Sequence, residues 1–320
     1  MPSHHSTAAG LGLFLALACS AAAANPPISI DSKVDRGELV VRYQGRKLLV
    51  YAFSTNQFKP YVRELYTLRG ENVLRDAPPD HLHHHGLMYA VYVNGINFWE
   101  ERDAPGIEKH IELPLHTARI DANGVPEGSF VEIIHWLAPT NKTAPDSLVA
   151  ALLVEQRTLT VTVDEKNQEV ALRWDSAFQV GPNAGKVTIH GPNYDGLGLR
   201  LPESFNHVAK FQNSADQPYA GPNTQNVIAA GWTSVSGVMA GRDVMLALFG
   251  RPDNARGDGF FFSMLDPFAY LSATQGVDKQ PLEYSAGDKS SLSYLLTVYS
   301  ENKSPEFIRQ RYDRWEKERR

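Results

Sequence analysis

A chain of 320 residues, 42% hydrophobic and 21% charged, has ample apolar material for a large core and no bias toward disorder. Its net charge of -5 includes no block of like charges, which excludes the basic face of a nucleic-acid binder. The 24 glycines and 20 prolines are spread along the chain and mark many turns.

The chain opens on a leader. Residues 11–18 form a short apolar run, and Ala22-Ala23-Ala24 supplies the small-residue pattern of a cleavage site. Residues 1–24 therefore read as a secretory signal, and the mature chain 25–320 is expected in the periplasm or outside the cell. A lipid anchor at Cys19 is the alternative. Cys19 is also the one cysteine in the sequence, so the mature chain offers no thiol nucleophile and no cysteine ligand for zinc or iron–sulfur clusters. Beyond the leader no stretch approaches ~18 uninterrupted apolar residues, so no membrane-spanning segment is expected.

Period-two alternation then dominates. Residues 38–43 and 46–53 flank Gln44-Gly45, and residues 87–93 and 96–99 flank Asn94-Gly95, the strongest hairpin signal present. Further strands are predicted over 111–120, 130–137, 148–163, 170–180, 186–190, 197–201, 227–238, 244–249 and 292–299. In the third of these, Leu159, Val161 and Val163 share one face and the threonines between them the other. One helix is predicted, over 305–320: Ser304 caps it, Pro305 takes its first position, and Ile308, Tyr312 and Trp315 recur on one face. The pattern specifies an all-β class, a large antiparallel β-sandwich with a C-terminal helix, as one domain over 25–320.

The densest polar cluster is Arg75-Asp76-Ala77-Pro78-Pro79-Asp80-His81-Leu82-His83-His84-His85-Gly86. Prolines and a glycine fence it as an ordered loop feeding the strand from Leu87. In an extended loop His81, His83 and His85 would project one way and His84 the other. Three readings fit: a metal site built from imidazoles two apart, a hydrogen-bonded structural loop, or an acid–base group in which Asp80 tunes a neighbouring imidazole near neutral pH. The last fits best.

Asp80-His81-x-His83-His84-x-Gly86, preceded by Pro78-Pro79 and followed by Asn94-Gly95 and Phe98-Trp99, resembles the signature of the PmoA-like (methane oxygenase PmoA) domain of unknown function. Tyr194-Asp195-Gly196-Leu197-Gly198-Leu199-Arg200 resembles a later segment of that family, and residues 249–268 a third block. Leu82 and His85 depart from it, standing where the family has Pro and a permanent cation. The resemblance implies a supersandwich similar to galactose-mutarotase-like proteins, in an exported protein encoded among glycan-degrading enzymes. It does not imply membrane-bound methane oxidation, since the chain carries no span.

These readings assign catalysis to Asp80 with His83 or His84, and to Glu155 or Glu100 as the second group, because sugar chemistry needs a proton donor and a base or nucleophile. Trp99, as a stacking platform, is expected to bind substrate together with His81, His85, Arg200 and Tyr61. Asp195, in a Gly-rich turn, reads as structural. No phosphate loop, dinucleotide fingerprint or Gly-x-Ser-x-Gly elbow is present. The expected function is an exported carbohydrate-active enzyme of glycosidase, lyase or epimerase type, taking a sugar or oligosaccharide and no cofactor. The rivals are a non-catalytic sugar-binding scaffold and an oxidoreductase with a His-bound divalent metal. Oligomeric state is left open.

Overall fold

Alternating apolar residues need a second layer to cover them. The computed structural model, which describes residues 26–143, 145–219, 226–257 and 259–318, shows two such layers. The first is a nine-stranded sheet. It runs from Ile28–Lys33 through Glu38–Tyr43, Arg46–Ala52, Tyr61–Leu65 and Leu87–Ala90 to Gly196–Arg200, Tyr270–Thr274, Phe260–Met264 and Asn226–Ala229. The second has eight strands, in the order Lys210–Asn213, Trp232–Met239, Arg242–Gly250, Lys289–Tyr299, Glu169–Val180, Ala151–Asp164, Pro126–Leu137 and Ile107–Ile120. Neighbouring strands pair antiparallel. A small four-stranded sheet, Leu282–Ser285, Lys186–His190, Tyr92–Val93 and Ile96–Asn97, lies beside them. The leader reading over residues 1–24 lies outside the described residues.

The predicted sandwich is present. One continuous core joins Leu39, Leu49, Val62, Tyr89, Leu197 and Leu271 of the first sheet to Ile134, Trp136, Leu159, Leu172, Leu246 and Leu296 of the second. Both hairpin signals hold. Gln44 and Gly45 adopt φ 48° and 79°, and Asn94 and Gly95 φ 51° and 79°, the double left-handed turn that suits twisted strands.

Three predicted strands are divided. Residues 87–93 break at Val91, so Leu87–Ala90 joins the large sheet and Tyr92–Val93 the small one. Residues 227–238 break at Gly231 into strands of opposite layers. Residues 148–163 begin as a helical turn, Ser147–Ala150, because the Asp146 side chain accepts from the amides of Leu148 and Val149. Strands that were not foreseen are short or fully buried, as in Tyr61–Leu65, Phe260–Met264 and Tyr270–Thr274. Such strands show no alternation to detect.

The C-terminal helix spans Pro305–Lys317, with Phe307 donating its amide to Ser304 Oγ at 3.2 Å. It covers the outer face of the eight-stranded sheet. Ile308 and Trp315 pack on Ala171, Met245, Phe249 and Leu295, and Arg251 donates to the carbonyls of Trp315 and Glu316. Ser304→Ala is expected to cost ~1 kcal/mol by urea denaturation. No helix among the described residues is long and apolar enough to cross a membrane.

Candidate active site

Strand parity places the site. In Leu87–Ala90, Leu87 and Tyr89 enter the main core, while Met88 and Ala90 join Tyr61, Trp99, Phe262, Phe268 and Tyr270 on the opposite face of the nine-stranded sheet. On that face lies a cleft of ≈ 400 Å³. Asp80, His81, His83 and His84 line it from the histidine loop and Glu100 and Arg102 from the segment after Ile96–Asn97, over aromatic residues including Trp99, Tyr194, Phe268 and Tyr270.

The histidine loop is two successive turns, and this corrects the extended reading. His81 donates its amide to the Pro78 carbonyl, His84 to His81 and Ala77 to His84. The turns gather His81, His83 and His84, with the His84 ring 4.6 Å from each of the other two, and send His85 elsewhere. Across the cleft floor, Asn97 Oδ1 accepts from the amides of Trp99 and Glu100 at 2.8 and 2.9 Å, which fixes that segment.

The four imidazoles differ in their partners. His81 Nδ1 meets Asp80 at 3.0 Å, and Arg200 donates to the same carboxylate oxygen at 2.7 Å. Burial would raise the Asp80 pKa, but the His81 and Arg200 bonds reverse this and hold it well below the usual carboxylate range. His84 is buried beside Arg200 Nη1 at 3.4 Å, and burial, His83, His81 and Arg200 push it down to about 2, so its ring is neutral. His83 is half-buried, and its ring nitrogens have no hydrogen-bond partner among the described residues. Burial lowers its pKa, and Glu100 opposes that shift without cancelling it. An unbonded, neutral imidazole facing a cleft is a base with a free lone pair. Among the described residues no three His, Cys, Asp or Glu side chains are grouped as a metal ion requires.

Several expected site residues stand elsewhere. Glu155 is 0% exposed inside the sandwich, where Trp136, Arg157 and Ser176 donate to its carboxylate, so the groove placement is corrected. Arg200 lies beneath the cleft, 1% exposed and 3.4 Å over the Phe268 ring, and acts on the cleft through Asp80. Trp99 does line the cleft, although it is only 2% exposed. His85 and Tyr61 stack at 4.0 Å below the cleft and do not line it. Sequence reasoning missed Arg102 and the Phe262, Met264, Pro267, Phe268 and Tyr270 wall. Phe262, Met264, Pro267 and Phe268 lie inside the third family-like block, residues 249–268, and Tyr270 lies two residues beyond it.

Asp195, behind the cleft-lining Tyr194, is fully buried, and neither carboxyl oxygen is hydrogen-bonded among the described residues. Gly191, at φ +150°, allows this, because a Cβ there would lie 2.3 Å from Asp195 Oδ2. Burial, with Glu100, pushes the Asp195 pKa well up. A raised carboxyl contributes its stability fully below the unfolded value, and that contribution is lost as pH rises toward the folded value. Asp195→Asn is therefore expected to gain about 1 kcal/mol or more over the wild type at about pH 8 and little near pH 4. Urea midpoints across that range check it.

Residues 38–313 match the model of a family of unknown function. The chain belongs to this family, DUF6807. The match supports the domain-of-unknown-function part of the sequence resemblance but not its PmoA-like name. No curated protein matches this DUF6807 chain. Among solved structures, the GH36 α-galactosidase AgaB from Geobacillus stearothermophilus is 10% identical, with a TM-score of 0.52 over 86% of this chain and 41% of that one. An α-galactosidase from Lactobacillus brevis is 7% identical over 87% and 40%, TM-score 0.46. A galactose mutarotase related enzyme from Lactobacillus acidophilus is 9% identical over 86% and 99%, TM-score 0.36. The first similarity shows a shared fold, and the DUF6807 chain spans well under half the length of the α-galactosidases.

Proposed function

We propose that this protein is an exported carbohydrate-active enzyme that performs general acid/base chemistry on a sugar or oligosaccharide in the cleft. The observation that carries the reading is His83, a neutral imidazole whose ring nitrogens have no hydrogen-bond partner among the described residues, in a cleft that also holds the carboxylates of Asp80 and Glu100. In this reading His83 takes a proton from a sugar hydroxyl or from water. Asp80, kept ionised by Arg200 and His81, stabilises positive charge that develops on the sugar ring, and Glu100 is the second proton-transfer group. Trp99, Tyr194, Phe268 and Tyr270 cover the apolar C–H face of the ring. The fold shared with a GH36 α-galactosidase supports the sugar class, and the apolar run before Ala22-Ala23-Ala24 supports export.

A non-catalytic sugar-binding role is the second reading. It is favoured by the 41% coverage of the α-galactosidase, since a fold shared with part of an enzyme need not carry its catalytic site. Incubation with a panel of plant and algal oligosaccharides, followed by mass spectrometry and anomer-resolved NMR, separates the two. Products or accelerated anomer exchange that disappear in the His83→Ala protein support the enzyme. Binding without any conversion across the panel supports the scaffold.

A further inference from the structure

Beneath the cleft, its two walls are joined by a row of four titratable side chains, none of which lines it. Asp76 Oδ1, in the histidine loop, meets His85 Nδ1 at 3.0 Å, and His85 Nε2 meets Glu101 Oε1 at 2.9 Å. Lys59 Nζ donates to the same Glu101 oxygen at 2.7 Å and to the Trp99 carbonyl at 3.2 Å. Tyr61 stacks on the His85 ring and donates its hydroxyl to Asp76 Oδ2 at 3.2 Å. Lys59 is 1% exposed and the His85 side chain 11%, so the middle of the row is shielded, while Glu101 and Asp76, at 19% and 25%, keep some contact with solvent.

The chemistry of the row depends on one proton. A neutral imidazole has one N–H, whereas two carboxylates on opposite nitrogens require two donors. We infer that His85, as an imidazolium, is a proton-operated strut that positions the Glu100 wall of the cleft against the His83 wall. Its use in catalysis rests on the function proposed above, but the strut itself can be tested without any sugar.

The surroundings agree. The charged and titratable groups facing the ring are Asp76 from its own loop, Tyr61 from Tyr61–Leu65, Lys59 just before that strand, and Glu101. Burial lowers the His85 pKa, but the Asp76 and Glu101 bonds outweigh it and raise the value overall. Burial likewise opposes ionisation of Glu101, yet His85 and Lys59 bring it to about 2. Loss of the His85 proton leaves a lone pair against one of the two half-buried carboxylates, and when the bare nitrogen is Nε2, Lys59 is the remaining side-chain donor to Glu101 among the described residues. The strut is set below the raised His85 value and released above it.

The test is amide hydrogen exchange over residues 97–106, expressed as protection relative to intrinsic rates, alongside imidazole ¹⁵N NMR of the whole chain. His85 is expected to stay doubly protonated above its ordinary value, and protection to fall about tenfold as it deprotonates. His85→Gln should show the low protection at every pH, and His85→Lys the high protection with no pH step. A His85 signal that titrates at or below the ordinary value, or protection that is flat in the wild type, overturns the inference. Should His85→Gln not fold, the wild-type and His85→Lys series still decide it. Absence of sugar turnover leaves this result untouched, so a failure of the proposed function and a failure of the strut are distinguishable.

Discussion

Replacing His83 by alanine is expected to lower turnover of the sugar substrate by about 10²–10⁴-fold, the usual contribution of a positioned general acid or base. Stability should be unchanged, because His83 is half-buried and bonds no protein group among those described. The same account fixes a pH dependence. Burial lowers the His83 pKa, so the ring is neutral at and above neutrality and the acid limb of the activity profile that reports it should lie below the ordinary histidine value. Steady-state kcat/KM from acid to neutral pH, with thermal melts of both proteins, measures all three. A His83→Ala protein that retains full turnover would remove the imidazole from the mechanism.

The second large effect is on stability and lies far from the cleft. Arg157 is 0% exposed between the two large sheets. Its Nε meets Glu155 at 2.8 Å, Nη2 meets Glu155 at 3.0 Å and Glu108 at 3.2 Å, and Nη1 donates to Tyr51 Oη and the Pro60 carbonyl. Burial pushes the Glu108 pKa up to about 8 despite Arg157, and the guanidinium makes two bonds to Glu155 against one to Glu108. Arg157→Met would strand the Glu155 charge in the core and is expected to cost ~3–5 kcal/mol. A lower urea midpoint at constant slope reads this out. The double change Glu155→Gln with Arg157→Met should recover part of the loss, since it leaves no isolated charge. If the single change costs nothing, water reaches this core.

The sandwich was legible because alternation, paired turn residues and the Ser304-Pro305 start each follow from local chemistry. The site was legible only in part. His83 and Glu100 were named from residue type, and the fold brings them into one cleft, but their separate roles come from partners that the sequence does not show. Parity already excluded Glu155 from a groove: Glu155 and Arg157 share the odd-numbered face of Ala151–Asp164 with Leu159, Val161 and Val163, the face that packs inward. The extended reading of the histidine loop failed because Pro78 and the positive φ of Ala77 fold it into turns, where parity has no force. His85 looked like a loss of charge, and only its contacts with Asp76 and Glu101 reveal the cation. The aromatic wall was hidden because its strands are buried on both faces and sit between Gly- and Pro-rich loops.

The most direct test of the whole account is to follow the imidazole resonances of the purified protein while saccharides are added. The prediction is that a sugar which is bound or converted shifts His83 and His81, which line the cleft, while His116 and His190, outside it, stay still. Saccharide binding or conversion with the His83 resonance unmoved would place the sugar elsewhere on the protein and contradict the account.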